Sequence, residues 1–341
     1  MATMVASPDA ADAQPDNDMR RHCAFQFPAV LLTVGAARWD ELRTSYLLLA
    51  RDSETAVRRT LSFSLHEIAH VLDTQAVETE LLDVFEAFIH DAEEIRVGVI
   101  GHLAEFLAEV GPACRESYLP VLNEVPTQTS PRNWRLREVL AEQLPRLTQL
   151  FSAESAHSVL TPLCCNLLRD EVAQVRETTL LAIPSLLRRV SEGKGEWTID
   201  VTERLRSFAE PGGPFQDRQT FVYICQAVAQ AEQPDTLMAE TQLLPQLLTI
   251  ATDPVLSVRI ALARRILSFP EWALQAPSLH GALEALRSDE SGRVQAFLEP
   301  PAVPPPPPSG SPPPPPPLLP PSPPPPLPPP SPQPFVKAPQ L

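Results

Sequence analysis

The chain has 341 residues, 42 of them proline, and a net charge of −15. Such acidity argues against sequence-independent nucleic-acid binding, which needs Lys and Arg clustered against phosphates. The longest strongly apolar stretch, Phe27 to Ala37, is too short and interrupted to span a bilayer, and no signal peptide opens the chain, so a soluble protein of the cytoplasm or nucleus is expected.

Residues 1–17, rich in Ala, Asp and Pro, are expected to be disordered. Order is expected from Asp18, in the middle of a unit. Ala24 to Val34 reads as the second helix of a repeat whose first helix is absent, with Phe25, Phe27, Val30 and Leu31 uncapped. Full units follow. Trp39 to Ala50 pairs with Val57 to Leu72, where Val57, Leu61, Leu65, Ile68 and Leu72 fall at helical spacing on one buried stripe. Glu80 to Ile89 then pairs with Ile95 to Val110.

The phrase recurs along the chain: an apolar helix, an aspartate, a short turn, an arginine and a second apolar helix. Its clearest copy is Leu243 to Leu267. The arginine slot holds Arg20, Arg58, Arg96, Arg135, Arg176, Arg218 and Arg259, with Gln295 in an eighth position, at intervals of 38, 38, 39, 41, 42, 41 and 36. A period near 40 with two helices per unit marks a HEAT-type repeat. The fold class is therefore an all-α HEAT-repeat superhelical solenoid over 18–299, of about seven units with the first incomplete. Such solenoids serve as extended binding surfaces.

Within this frame Asp52, Asp91, Asp170, Asp253 and Asp289 precede the arginine slot by five or six residues. They should end each first helix, accepting hydrogen bonds from turn amides and from arginines of the next unit. Asp52, Arg58, Asp91, Arg96, Asp170, Arg176, Asp253 and Arg259 thus form a predicted structural ladder. Pro120, Pro162 and Pro245 recur in first helices, as kinks or first-turn residues. Ser191 to Trp197 and Glu210 to Gln216 break the periodicity with Gly and Pro and read as loops. From Pro300 onward, 25 of 42 residues are proline, a disordered polyproline II tail. Its leucine-flanked runs, Pro325-Pro326-Leu327-Pro328 above all, suit profilin, EVH1 or WW partners.

Chemistry-bearing motifs are sparse. His66-Glu67-Ile68-Ala69-His70 fits the H-E-x-x-H pattern, in which two histidines one turn apart bind zinc and the glutamate activates water. It lies inside a repeat helix, and Asp73 and Ala76 stand where the extended motif needs glycine and histidine. A zinc hydrolase is the remote alternative, and no catalytic, cofactor or metal site is expected. The five cysteines, Cys23, Cys114, Cys164, Cys165 and Cys225, read as buried reduced thiols. Trp134 falls in an inter-helix turn, and Trp and Arg are favoured interface anchors. Trp134, Arg135 and Arg137 are expected to centre a protein contact, with Asn133, Glu93 and Glu94 in the neighbouring turns.

The segments His22 to Phe25, Val57 to Ala69 (VRRTLSFSLHEIA), Ser130 to Leu144 (SPRNWRLREVLAEQL) and Gln219 to Val228 (QTFVYICQAV) resemble the C-terminal HEAT array of the regulatory subunit 1 family of serine/threonine-protein phosphatase 4. The resemblance runs from about Asp18 to Leu298. It implies a non-catalytic regulatory or scaffold subunit that binds the phosphatase 4 catalytic subunit and modulates its activity or targeting. Relative to that family the chain lacks the N-terminal repeats and adds the proline tail. A HEAT adaptor without phosphatase binding, recruiting polyproline readers, is therefore the main alternative.

Overall fold

The computed structural model describes residues 9–128, 132–231 and 243–298. Every element among them is helical. An opening helix, Asp9–Val34, is followed by seven helix pairs. The first three are Trp39–Ala50 with Thr55–Ser62 and Leu65–Val71, Leu82–Ile89 with Glu93–Gly101 and Leu103–Ala108, and Leu119–Gln128 with Trp134–Leu150. The fourth and fifth are Thr161–Leu167 with Ala173–Leu180 and Ile183–Ser191, and Gly195–Arg206 with Phe215–Ala229. Gln246–Ala251 with Leu256–Ile266 and Pro277–Arg287 with Gly292–Gln295 complete the array. The polyproline motif and the rest of the tail lie outside the described residues, as do residues 1–8.

One apolar core runs continuously from Ala24 to Val294, each pair burying its stripe on its neighbours. The helix already spans Asp9 to Asn17, part of the segment expected to be disordered. Ala10, Ala11 and Ala13 are there, and alanine has the highest helix propensity. Among the described residues the opening helix packs against Trp39–Ala50, Thr55–Ser62 and Leu65–Val71. Phe27 and Leu31 are buried, with the Phe27 ring 5.0 Å from the Tyr46 ring, whereas Phe25 is 70% exposed.

Three second helices are broken where continuous helices are expected, at Phe63–Ser64, at His102 and at Leu181–Ala182. The causes are local. Ser62 Oγ donates to the Arg59 carbonyl at 2.8 Å, and serine side chains of this kind compete with the helix backbone. Pro184 has no N–H for the helix ladder. At His102 the freed groups are taken up by buried Gln143 of the next unit, which donates to the Gly101 carbonyl at 2.7 Å and accepts from the Ala104 amide at 3.2 Å. Pro120 occupies a first-turn position and Pro245 immediately precedes Gln246–Ala251, whereas Pro162 lies inside the continuous helical run 153–167, just after its π-helical turn Ala156–Leu160. The thiols divide: Cys164, Cys165 and Cys225 are buried and Cys114 is partly so, but Cys23 is exposed because it lies on the uncovered side of the opening helix.

Candidate protein-interaction surface

The arginine–aspartate ladder sets the orientation of the surface. Arg20, Arg58, Arg137, Arg218 and Arg259 each reach forward to the aspartate of the following unit. Arg20 donates to Asp52 at 3.1 Å, Arg58 to Asp91 at 2.7 and 3.0 Å, Arg137 to Asp170 at 2.5 and 3.0 Å, and Arg259 to Asp289 at 2.6 and 3.2 Å. The predicted direction is thus reversed, because each aspartate accepts from the arginine of the preceding unit. Oδ1 also closes the turn: in Asp52, Asp170, Asp253 and Asp289 it accepts an amide two residues on, at 2.8 to 2.9 Å. The arginine six residues after the aspartate clamps the same turn through its other nitrogen. Arg58 bonds the Asp52 carbonyl and Arg176 the Asp170 carbonyl, both at 2.7 Å, and Arg259 bonds the Asp253 carbonyl at 2.8 Å. Gln295 bonds the Asp289 carbonyl at 2.8 Å, so the eighth slot is a working one.

These bonds shift the ionisable groups. The Arg58 hydrogen bond holds the Asp91 carboxyl below its usual range. Burial works to raise Asp170 and Asp289, but the guanidinium bonds of Arg137 and Arg259 and the turn amides outweigh it and carry both below normal.

The third unit departs from the predicted spacing. Arg137, not Arg135, holds the ladder position there, and it is buried against Asp170. Arg137 is therefore removed from the interface constellation: its guanidinium is committed inside the array. Arg96 also departs. Its Nε is buried without a hydrogen-bond partner among the described residues. Asp91 lies five residues before it instead of six.

Arg135 points outward and lies 4.8 Å over the Trp134 ring. Trp134 is the first residue of its helix, half-buried on the core, and Asn133 before it makes no side-chain cap bond. The indole thus both packs on the core and presents a face to Arg135. Glu93 and Glu94, which open the second helix of the preceding unit, meet Arg135 in a surface groove of about 600 Å³. Arg59, Val97, Glu138 and Val139 line the same groove. Sequence reasoning missed these four, although each lies one or two residues past an arginine slot. Arg59 continues into a second groove of about 530 Å³ with Phe25, Phe63 and Glu67. Among the described residues, Glu93, Glu94, Glu138, Arg59 and Arg135 form no ion pair, and Arg59 and Arg135 lie over the Phe63 and Trp134 rings. Five charges thus stand unpaired around apolar Val97 and Val139.

The HEIAH histidines face different neighbours. The His66 ring stacks on His102 with centroids 3.9 Å apart, and His70 Nδ1 meets Glu109 at 2.8 Å. Burial, with the neighbouring His102, depresses His66 to about 4. Among the described residues no group of three His, Cys, Asp or Glu side chains could hold a metal ion, and no helix is long and apolar enough to cross a membrane.

A family model described as the protein phosphatase 4 regulatory subunit 1 middle domain matches residues 23–125. Serine/threonine-protein phosphatase 4 regulatory subunit 1 of Mus musculus is 34% identical over 291 residues, covering 83% of this chain and 31% of that protein. The Homo sapiens protein is 33% identical over 291 residues, with the same coverage. The chain thus spans 31% of the length of these curated relatives. Among solved structures, a designed armadillo repeat protein aligns with a TM-score of 0.29 and 14% identity, covering 73% of this chain and 93% of that one.

Proposed function

This chain is a relative of the regulatory subunit 1 proteins of serine/threonine-protein phosphatase 4, and from that kinship we propose that it is a non-catalytic subunit that binds the phosphatase 4 catalytic subunit. The observation that carries the reading is 34% identity sustained over 83% of the chain. An array of helix pairs with a continuous apolar core is a scaffold on which a second protein can lie, and its exposed second-helix edges supply the surface.

We place the contact on the groove between Glu93, Glu94 and Arg135, with Trp134, Arg59 and Glu138 at its margins. Unpaired charges around a small apolar floor are suited to complementary charges on a partner, which raise association rate and fix register. Binding of the purified catalytic subunit to the purified full chain, followed by calorimetry, tests this. A stable complex is expected, weakened about tenfold or more by the Arg59→Glu/Arg135→Glu double substitution, the effect of about 1.4 kcal/mol. No complex at all would overturn the regulatory reading. A complex indifferent to the double substitution would move the contact elsewhere on the array.

A further inference from the structure

We propose that the junction between the fourth and fifth helix pairs is a hinge in the array. It is the place where the ladder loses a rung and the leading segment of the second helix packs less closely on the next unit. Arg176 donates to its own turn, at 2.7 Å to the Asp170 carbonyl and 3.1 Å to the Glu171 carbonyl, as Arg58 does to Asp52 and Ser53. Arg58 also crosses to Asp91, but among the described residues Arg176 makes no bond to the next unit. The reason is legible in the chain. Counting six residues back from the ladder arginine gives Asp52 from Arg58, Asp170 from Arg176 and Asp253 from Arg259, but Gly212 from Arg218. The slot that should receive Arg176 has no side chain.

Packing follows the same break. The second-helix segment Ala173–Leu180 touches Phe215–Ala229 less than Glu93–Gly101 touches Trp134–Leu150 or Phe215–Ala229 touches Leu256–Ile266, and Ile183–Ser191 carries the rest of the contact. Leu181, at the break of the fourth second helix, is 70% exposed, and Phe215 is exposed at the start of the fifth. The unit beyond the junction enters and leaves its first helix through the two Gly-containing connections, around Gly193 and around Gly212 and Gly213. Hinges are a few loop or element-end residues that absorb backbone rotation between packed bodies.

What crosses the junction are smaller ties on the first-helix side, where His157 meets Asp200 at 2.9 Å and stacks on the Trp197 ring. Arg169, at the end of the fourth first helix, donates to Asp217 at 3.0 Å and to Ser207 at 3.2 Å, and its guanidinium lies 3.9 Å over the Phe208 ring. That arginine is 42% exposed, whereas Arg218 in the next rung is 5% exposed. Its ion pair is screened by water and salt in a way the buried rungs are not. Arg169 and His157 thus give the junction a pivot on its first-helix side, and the missing rung leaves the second-helix side free to open. The junction after Arg96 also lacks a described rung, but there Glu93–Gly101 packs closely along Trp134–Leu150, so no hinge follows.

Hydrogen–deuterium exchange on the full chain tests the proposal, because local opening is read directly from amide protection. In the wild-type chain, amides of Ala173–Leu180 and of the first turns of Phe215–Ala229 should exchange faster than those of Leu256–Ile266, behind an intact rung. Gly212→Asp restores the carboxylate. A Cβ there meets nothing within 4 Å, and the residue does not have positive φ. This substitution should slow exchange at the junction about tenfold, the worth of one charge-assisted hydrogen bond. Adding Arg176→Ala should return it to the wild-type rate. Equal protection on the two sides of the comparison in the wild-type chain would overturn the hinge. So would slowing by Gly212→Asp that survives Arg176→Ala. Should the aspartate variant fail to fold, the wild-type comparison decides alone.

Discussion

Arg218 and Asp253 meet side by side in the interior, Nε to Oδ2 at 2.5 Å and Nη2 to Oδ1 at 3.2 Å, 35 positions apart in the chain. Both are almost wholly buried. Asp253 also closes its own turn on the Val255 amide, and Arg218 donates to the Gly213 carbonyl, so one pair fastens two turns and two units. Asp253→Ala should therefore destabilise the chain by about 3–5 kcal/mol, because it leaves a guanidinium buried and unpaired. Urea melts check this. Arg176→Ala, which breaks no cross-unit rung, should cost clearly less, and equal losses from the two substitutions would contradict the ladder as the source of inter-unit stability.

Acid should loosen the ladder. Asp91, Asp170 and Asp289 have folded-state pKa values below those of the unfolded chain. The folded state therefore binds fewer protons, and the stabilisation is fully present above the unfolded carboxylate value of about 3.9 and lost as pH falls through the folded values. Denaturation midpoints should drop steeply below about pH 4. Replacing Asp91 and Asp289 with Asn should lower stability at pH 7 and flatten that drop.

A second acid dependence lies at higher pH and comes from histidine. His66 is held neutral down to about 4 by burial and by His102, while an unfolded histidine titrates near 6.5. Between those values the unfolded chain binds the extra proton, so stability declines as pH falls from 6.5 toward 4. His66→Phe, which keeps a ring against His102, should reduce the slope in that window. An unchanged slope between pH 6.5 and 5 would assign the dependence to other groups.

Trp134 and Arg135 should separate cleanly. Trp134→Ala removes a half-buried ring and should cost roughly 2 kcal/mol, about half the penalty of a fully buried aromatic. Arg135→Ala lies on the surface and should stay within about 0.5 kcal/mol of the parent in thermal stability while weakening the proposed catalytic-subunit contact. A stability loss from Arg135→Ala as large as that from Trp134→Ala would make the pair structural.

The thiols offer a direct check of the fold. Cys23 is exposed, whereas burial raises the pKa of Cys164, Cys165 and Cys225 and keeps reagents away. One thiol should react quickly with a maleimide in the native chain, and peptide mapping should find it at Cys23. Fast modification of Cys164 or Cys165 without denaturant would contradict the packing of the fourth unit.

Much of this architecture was readable along the chain because a repeat imposes one local pattern many times. The helix period, the aspartate that ends a first helix and the arginine that follows all act within a few residues, so their spacing carries the helix pairs, the phase that begins mid-unit and even the role of Gln295. Direction and commitment were not readable. Arg135 and Arg137 sit two residues apart on one helix, and only the packing of Asp170 beneath that helix decides which is buried and which faces outward. The same holds for His66, whose ring rests on His102 of the next unit and not on the motif partner His70. The groove that joins Arg59, Glu93, Glu94 and Arg135 draws on three units, and no local pattern encodes which turns stand side by side. Sequence determined what each unit is, since hydrogen bonding and apolar periodicity are short-range. Tertiary structure decided which charges are consumed between units and which are left for a partner, since pairing depends on distances set by stacking.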